Sequence, residues 1–229
     1  LPDARAIYDL ILMSIETAEE LERLKAVGRV VALAMRAMRE QVRAGVTTAE
    51  LDEVGAKVFR QAGARSGPQL DYDFPGYNCI SVNDEAVHGI PGKRRLKDGD
   101  LVKLDVTAEL DGFYADACVS VPVGRPRPEA ARLMKSARTA LADGMAAARA
   151  GAPLNAIGKA VEGTVRGNGH SVCAELLGHG IGRQIHEPPN VPAVYVPWMS
   201  QPLTEGLVLT IEPIIAAGDG AVTDAGDGW

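Results

Sequence analysis

The sequence predicts a mixed α/β fold of the α+β kind, made of two similar halves in which a helix pair precedes strands. Three observations carry that expectation: two capped amphipathic patterns near the N-terminus, two β-rich runs joined by Asp111-Gly112, and an internal echo at an offset of 106 residues. A chain of 229 residues, 46% hydrophobic and 24% charged, can bury a sizeable core without disulfides or a structural metal.

The first helix is expected from about Thr17, where Thr17 and Glu20 form a capping-box pattern, to about Arg43 before Gly45. Leu21, Leu24, Val31, Met35, Met38 and Val42 give it an apolar stripe. A second helix should start at Thr47, again with Glu three residues later, and end near Gly63. Cys79 to Val82, Asp100 to Thr107 and Gly112 to Val121 read as strands, the last two a hairpin turning on Asp111-Gly112. Pro122 to Pro128 marks the passage between halves, and an Ala/Arg-rich helix follows over roughly 128 to 149. Ala150 to Gly169 then lies over Ala44 to Gly63, so that Leu51 meets Ile157, Phe59 meets Val165 and Arg60 meets Arg166. Further strands are expected at Val191 to Val196 and Gly206 to Ile215. With no linker or low-complexity segment, residues 1–229 read as one domain with halves of about 1–124 and 125–229.

A formal net charge of -6 disfavours bulk binding to DNA or RNA, and the small Lys93-Arg94-Arg95 cluster fits a solvated turn. Cys79, Cys118 and Cys173 are scattered and odd in number, which fits a reducing cytosol better than a disulfide framework or zinc ribbon. No apolar run approaches the roughly 20 residues of a membrane span, and the N-terminus lacks the marks of a signal peptide. A cytoplasmic location is expected. The chain opens on Leu1 with no initiator Met, so an upstream start is expected as well.

Chemistry concentrates in a few strings. If Asp111 and Gly112 are the central turn residues, Asp116 lies opposite Thr107, and Asp105 sits two residues from Thr107 on the same face. Carboxylates that close repel, and one takes a proton unless a cation intervenes; two solvated aspartates on an exposed hairpin would show the same spacing. In Gly178-His179-Gly-Ile-Gly182 the glycines weaken any regular element and indicate a backbone packed close to a ligand or to another strand. His186 and His88 add imidazoles, each also compatible with a plain loop. Glu212 lies in the apolar run Leu207 to Ile215, where a buried charge is costly unless paired or metal-bound. Pro213 leaves open an edge strand with Glu212 facing water. Oxygen-rich ligands with one imidazole suit a pair of divalent ions better than a structural zinc, and paired ions suggest hydrolysis.

Taken in order, Ser81 to Pro91, Leu104-Asp105-Val-Thr, Ala115-Asp116, Gly178 to Gly182, Ile185-His186-Glu187 and Thr210-Ile-Glu212-Pro213 resemble the type I methionine aminopeptidases over almost the whole chain. The resemblance implies the pita-bread fold, pseudo-two-fold, with a central antiparallel curved sheet flanked by two helix pairs, which accounts for the echo. It implies two divalent ions (Co, Mn, Fe or Zn) held by Asp105, Asp116, His179 and Glu212. It places His88 and His186 against the scissile peptide, and Cys79, Phe74 and Trp229 around the methionine side chain, where soft apolar groups suit a thioether.

The implied reaction removes the initiator methionine from nascent proteins whose second residue is small. Cation-activated water attacks, His186 and metal stabilise the oxyanion, Glu212 shuttles the proton and His88 holds the substrate amide. N-terminal Met peptides, nascent chains and a transient ribosome contact are the implied partners of a monomer that binds neither DNA nor membrane. The family carries a fifth ligand, a Glu on a strand beyond the tryptophan matched by Trp229; this chain stops there, which implies either a longer protein with that C-terminal strand or a weak or inactive enzyme, and the ending in mid-motif favours the longer protein. His186-Glu-Pro-Pro189 also departs from relatives that have a second acid before a single proline. An Xaa-Pro aminopeptidase or dipeptidase of the same fold is the nearest rival, opposed by the compact length and the Cys79 to Pro91 string. A non-catalytic peptide-binding member is opposed by the four retained ligands.

Overall fold

Local signals build the elements in turn, and the computed structural model describes residues 15–229. Glu20 N–H donates to Thr17 Oγ1 at 3.2 Å and Thr17 N–H to Glu20 Oε2 at 3.3 Å, closing a capping box that opens helix α1, Ala18–Gln41. The same box between Thr47 and Glu50 opens α2, Thr48–Ala62, which ends on Gly63 in the left-handed conformation. The buried face of α1 is Val27, Val30, Val31, Ala34 and Met38, whereas Leu21, expected in the stripe, is 38% exposed. Six residues of α-helix turn by about 600°, which sets Leu21 about 120° away from Val27 and off that face.

Strand β1, Arg65–Ser66, short helix α3, Gly67–Tyr72, and strands β2, Cys79–Val82, β3, Leu101–Leu110, and β4, Phe113–Pro122, follow. The long strand β3 pairs antiparallel along its whole length with β4; β2 pairs with its Val102 to Asp105 stretch and β1 with Ala108 and Glu109. Asp111 and Gly112 have φ of 52° and 83°, the two left-handed residues that a two-residue hairpin turn needs. One face of β3 carries Val102, Leu104 and Val106, all fully buried in a core with α1 and α2 residues such as Met38, Leu51 and Phe59. Lys103, Asp105 and Thr107 alternate with them onto the other face.

A second group of elements comprises helices α4, Pro128–Ala147, and α5, Asn155–Gly167, with strands β5, Ser171–Val172, β6, Gly178–Gly180, β7, Glu187–Val191, and β8, Ile215–Ala216. Here β5 pairs with β8 and β6 with β7, both antiparallel, over a core of Ala140, Leu154, Ile157, Val161, Val165, Val191, Ala193 and Leu203. The chain forms two compact units: 21–131 with 223–229, and 132–222 with the described residues that precede Leu21. The echo is a repeat of packing inside each unit. Leu51 and Ile157 are both 0% exposed, Phe59 and Val165 are 1% and 0%, and Gly63 and Gly169 both turn the chain with left-handed φ of 71° and 74°.

The strands expected late in the chain differ from those observed. β7 lies at Glu187–Val191, ahead of the predicted Val191 to Val196, and 206–214 forms no continuous strand. That segment is tied by single contacts: Ile181 N–H to Val208 O at 3.1 Å, a bridge between Gly180 and Leu209, and Thr210 N–H to His179 O at 2.7 Å. Pro213 has no N–H to offer a ladder, and the register shifts between His179 and Gly180, so regular pairing returns only at β8. Among the described residues no helix is long and apolar enough to cross a membrane.

Leu51→Ala and Ile157→Ala, each emptying a fully buried site in its own unit, should lower unfolding free energy by about 2–5 kcal/mol apiece. Urea denaturation checks this. A loss below about 1 kcal/mol at either position would show that its side chain is not packed as described.

Candidate functional site

Within the first unit, Asp105 on β3 stands directly opposite Cys79 on β2 and Cys118 on β4, and Thr107 stands opposite Asp116. The two carboxylates therefore share a face as diagonal neighbours, as the hairpin spacing predicts. Both are half-buried rather than solvated, and Thr107 between them is only 4% exposed. Burial, and after it the charges of Asp105 and Asp116, push the Cys79 thiol up, so it stays protonated and behaves as a small apolar group. Phe74, 3% exposed, follows α3, and Trp229 meets it edge to face with ring centroids 4.8 Å apart. His88 lies beyond β2 with φ of 55°.

The second unit assembles His179, His186 and Glu212. His179 Nδ1 lies 2.8 Å from Gly180 O and Nε2 lies 3.3 Å from Glu212 Oε1. With Nδ1–H donated to the carbonyl, a neutral ring turns the Nε2 lone pair toward a carboxylate, so a proton or a cation must lie between them. Burial pushes the Glu212 carboxyl up, but the hydrogen-bond contacts of His179 and Thr210, with the electrostatic influence of His179 and His186, outweigh it and hold the group below the usual carboxylate range. The rings of His179 and His186 pack 4.2 Å apart at 61°. Both line a cavity of about 450 Å³, with Glu187 and Asn190 on its wall.

The glycines around His179 serve neighbouring backbone. A Cβ on Gly178 would come within 2.6 Å of Thr210 O, and one on Gly180 within 2.3 Å of Pro188 O. Of the two readings open from sequence, close approach to another segment of chain is the one realised. Glu212 stands on irregular extended chain beside β6, its side chain 31% exposed and its Oε1 in contact with both Thr210 Oγ1 and His179 Nε2, rather than on a free edge strand facing water.

Thr210 is the residue that sequence reasoning passed over. Its Oγ1 accepts the His179 backbone N–H at 2.9 Å and donates to Glu212 Oε1 at 2.5 Å, so one hydroxyl ties the Glu212 carboxylate to the strand backbone that carries His179. A two-residue step in extended chain puts Thr210 on the face of Glu212, a signal present in Thr210-Ile-Glu212 but far too common to read alone. Glu187, whose carboxylate accepts Arg183 N–H at 2.6 Å and Gln184 N–H at 2.9 Å, fixes the turn that presents His186.

The donor set suits a divalent cation. Carboxylates with one imidazole are the mixture that Mn, Fe, Co and Zn accept, and the Gly180 bond to Nδ1 is the outer contact that aims Nε2 at a metal.

Comparison with known proteins agrees. The pattern of metallopeptidase family M24 matches residues 22–228. Over 219 residues the chain is 42% identical to methionine aminopeptidase 2 of Bacillus subtilis, covering 95% of this chain and 88% of that one. The crystal structures of methionine aminopeptidase from Thermotoga maritima and from Rickettsia prowazekii superpose with TM-scores of 0.92 and 0.91. Each is 32% identical, with 95% of this chain and 88% of theirs covered.

Thr210→Val should weaken Mn2+ binding about 10- to 100-fold while Thr210→Ser retains it, since outer-shell partners typically contribute that much. Titration calorimetry reads the difference. Wild-type affinity in Thr210→Val would remove Thr210 from the site.

Proposed function

Because the chain belongs to metallopeptidase family M24 and has its pita-bread fold, we propose that it is a metal-dependent aminopeptidase removing the N-terminal methionine of nascent proteins whose second residue is small. The observation that carries the reading is the His179–Thr210–Glu212 arrangement, an imidazole and a carboxylate 3.3 Å apart with one hydroxyl bonded to both the His179 backbone and the Glu212 carboxylate, in a chain so similar to methionine aminopeptidases.

Asp105, Asp116, His179 and Glu212 are the residues assigned to hold two divalent ions, Co, Mn, Fe or Zn. When bound, such ions make water a nucleophile at neutral pH and polarise the scissile carbonyl. The rest falls to side chains. Glu212, kept ionised by its hydrogen bonds, takes the proton of the attacking water and passes it to the leaving amine. His186, packed edge-on against His179, donates to the developing oxyanion, and His88 holds the substrate amide. Phe74, Trp229 and the protonated thiol of Cys79 make the apolar, polarisable wall that a thioether prefers. We read residues 1–229 as one catalytic domain of a cytoplasmic monomer, acting on N-terminal Met peptides and nascent chains during transient contact with the ribosome.

The purified full-length protein should release Met from Met-Ala-Ser peptides, lose that activity to a chelator and regain it with added divalent metal. Asp116→Asn should lower kcat/KM by more than the about 100-fold typical of outer-shell losses. Release of Xaa-Pro products with no cleavage of Met-Ala-Ser would overturn the substrate assignment, and wild-type rates in Asp116→Asn the ligand assignment.

A further inference from the structure

Beside Asp105, on the same face of the sheet, runs a second row: Ser81 on β2, Lys103 on β3 and Ser120 on β4, set directly opposite one another. Two of these reach out to the chain that leaves β2. Ser81, 2% exposed, accepts the Gly89 N–H on Oγ at 3.0 Å, while Ile80 N–H donates to Gly89 O at 2.8 Å. The contact leaves no room for a side chain, since a Cβ on Gly89 would lie 2.4 Å from Ile80 O. Lys103 Nζ donates to Asn83 O at 2.6 Å.

Those two anchor points sit at the ends of a loop with unusual backbone. Asn83 and His88 have φ of 57° and 55°, left-handed conformations that a non-glycine residue keeps only when its surroundings over-determine them. At Asn83 the determination is visible. Its N–H donates to Leu101 O at 2.8 Å, its Oδ1 accepts Leu101 N–H at 2.9 Å, and its Nδ2 donates to Asp100 Oδ1 at 2.9 Å. Between the ends, Glu85 ties the loop back by accepting Val82 N–H at 2.7 Å and Arg94 at 2.6 Å. Next to His88, Gly89 is held by two bonds, its N–H to Ser81 Oγ and its carbonyl to the Ile80 N–H, and of these the Ser81 bond comes from a side chain.

We propose that Lys103 and Ser81 are positioning residues for His88. They clamp both ends of the 83–89 loop onto the strands that carry Cys79 and Asp105, so that His88 is presented to substrate in one orientation. Neither side chain touches substrate; each acts through the loop backbone. The proposal rests on the reading of His88 as a substrate contact.

The test is a double-mutant cycle on the full-length, metal-loaded protein with Met-Ala-Ser as substrate. Ser81→Ala and Lys103→Gln are each made in the wild type and in His88→Ala, and kcat and KM are measured separately. Expected is a loss of about 10- to 100-fold in kcat/KM for each in the wild type, the scale of a displaced contact, and no further loss once His88 is absent. Equal fold-losses in both backgrounds would overturn the clamp while leaving His88 its role. An unimpaired His88→Ala enzyme would instead overturn the reading of His88, and the clamp with it. If Lys103→Gln does not fold, the Ser81→Ala cycle decides alone.

Discussion

A two-residue turn at Asp111-Gly112 sets β3 against β4, and side chains alternate along a strand, so a slip of one residue would carry the acidic set into the face now filled by Val102, Leu104 and Val106. Burying two carboxylates among those side chains is prohibitive, which makes the register self-enforcing. Everything on the polar face follows from it: the Asp105 and Asp116 diagonal, Cys79 opposite Asp105, and the Ser81–Lys103 row beside them. The apolar face gives the fold its core, and the same alternation gives the site its acids.

The second unit solves its problem differently. Its strands are short, and the chain around Glu212 has no continuous ladder to hold it. Orientation there comes from single contacts of high information, the Thr210 hydroxyl shared between His179 and Glu212 and the glycines that let β6 press against Thr210 and Pro188. A carboxylate held by two donors stays ionised despite partial burial, which is what a ligand or proton carrier needs. Regular sheet orients the side chains of the first unit, and polar ties orient those of the second.

Much of the fold was legible because its signals are local. Both capping boxes, the helix end at Gly63 and the hairpin turn depend on residues within a turn or two of one another, and the matched burial of Leu51 and Ile157 follows from the same local helix pattern written twice. Leu21 misled because step-counting along a helix tolerates drift that the actual rotation does not. The 206–215 run misled because apolar composition looks like a strand, whereas pairing needs donors in register, and Pro213 supplies none.

Taken alone, the sequence determined the helix starts, the hairpin register and hence that two aspartates share one face, and its motif order determined the family. Only the tertiary structure decided that Thr210 joins His179 to Glu212, and that Lys103 and Ser81 hold the His88 loop by its ends. The first set is written in spacings of a few residues, where backbone geometry leaves little choice. The second rests on hydrogen bonds such as that between His179 and Thr210, 31 residues apart. Such partners have no period and no fixed spacing, and exist only once burial has folded the chain back on itself.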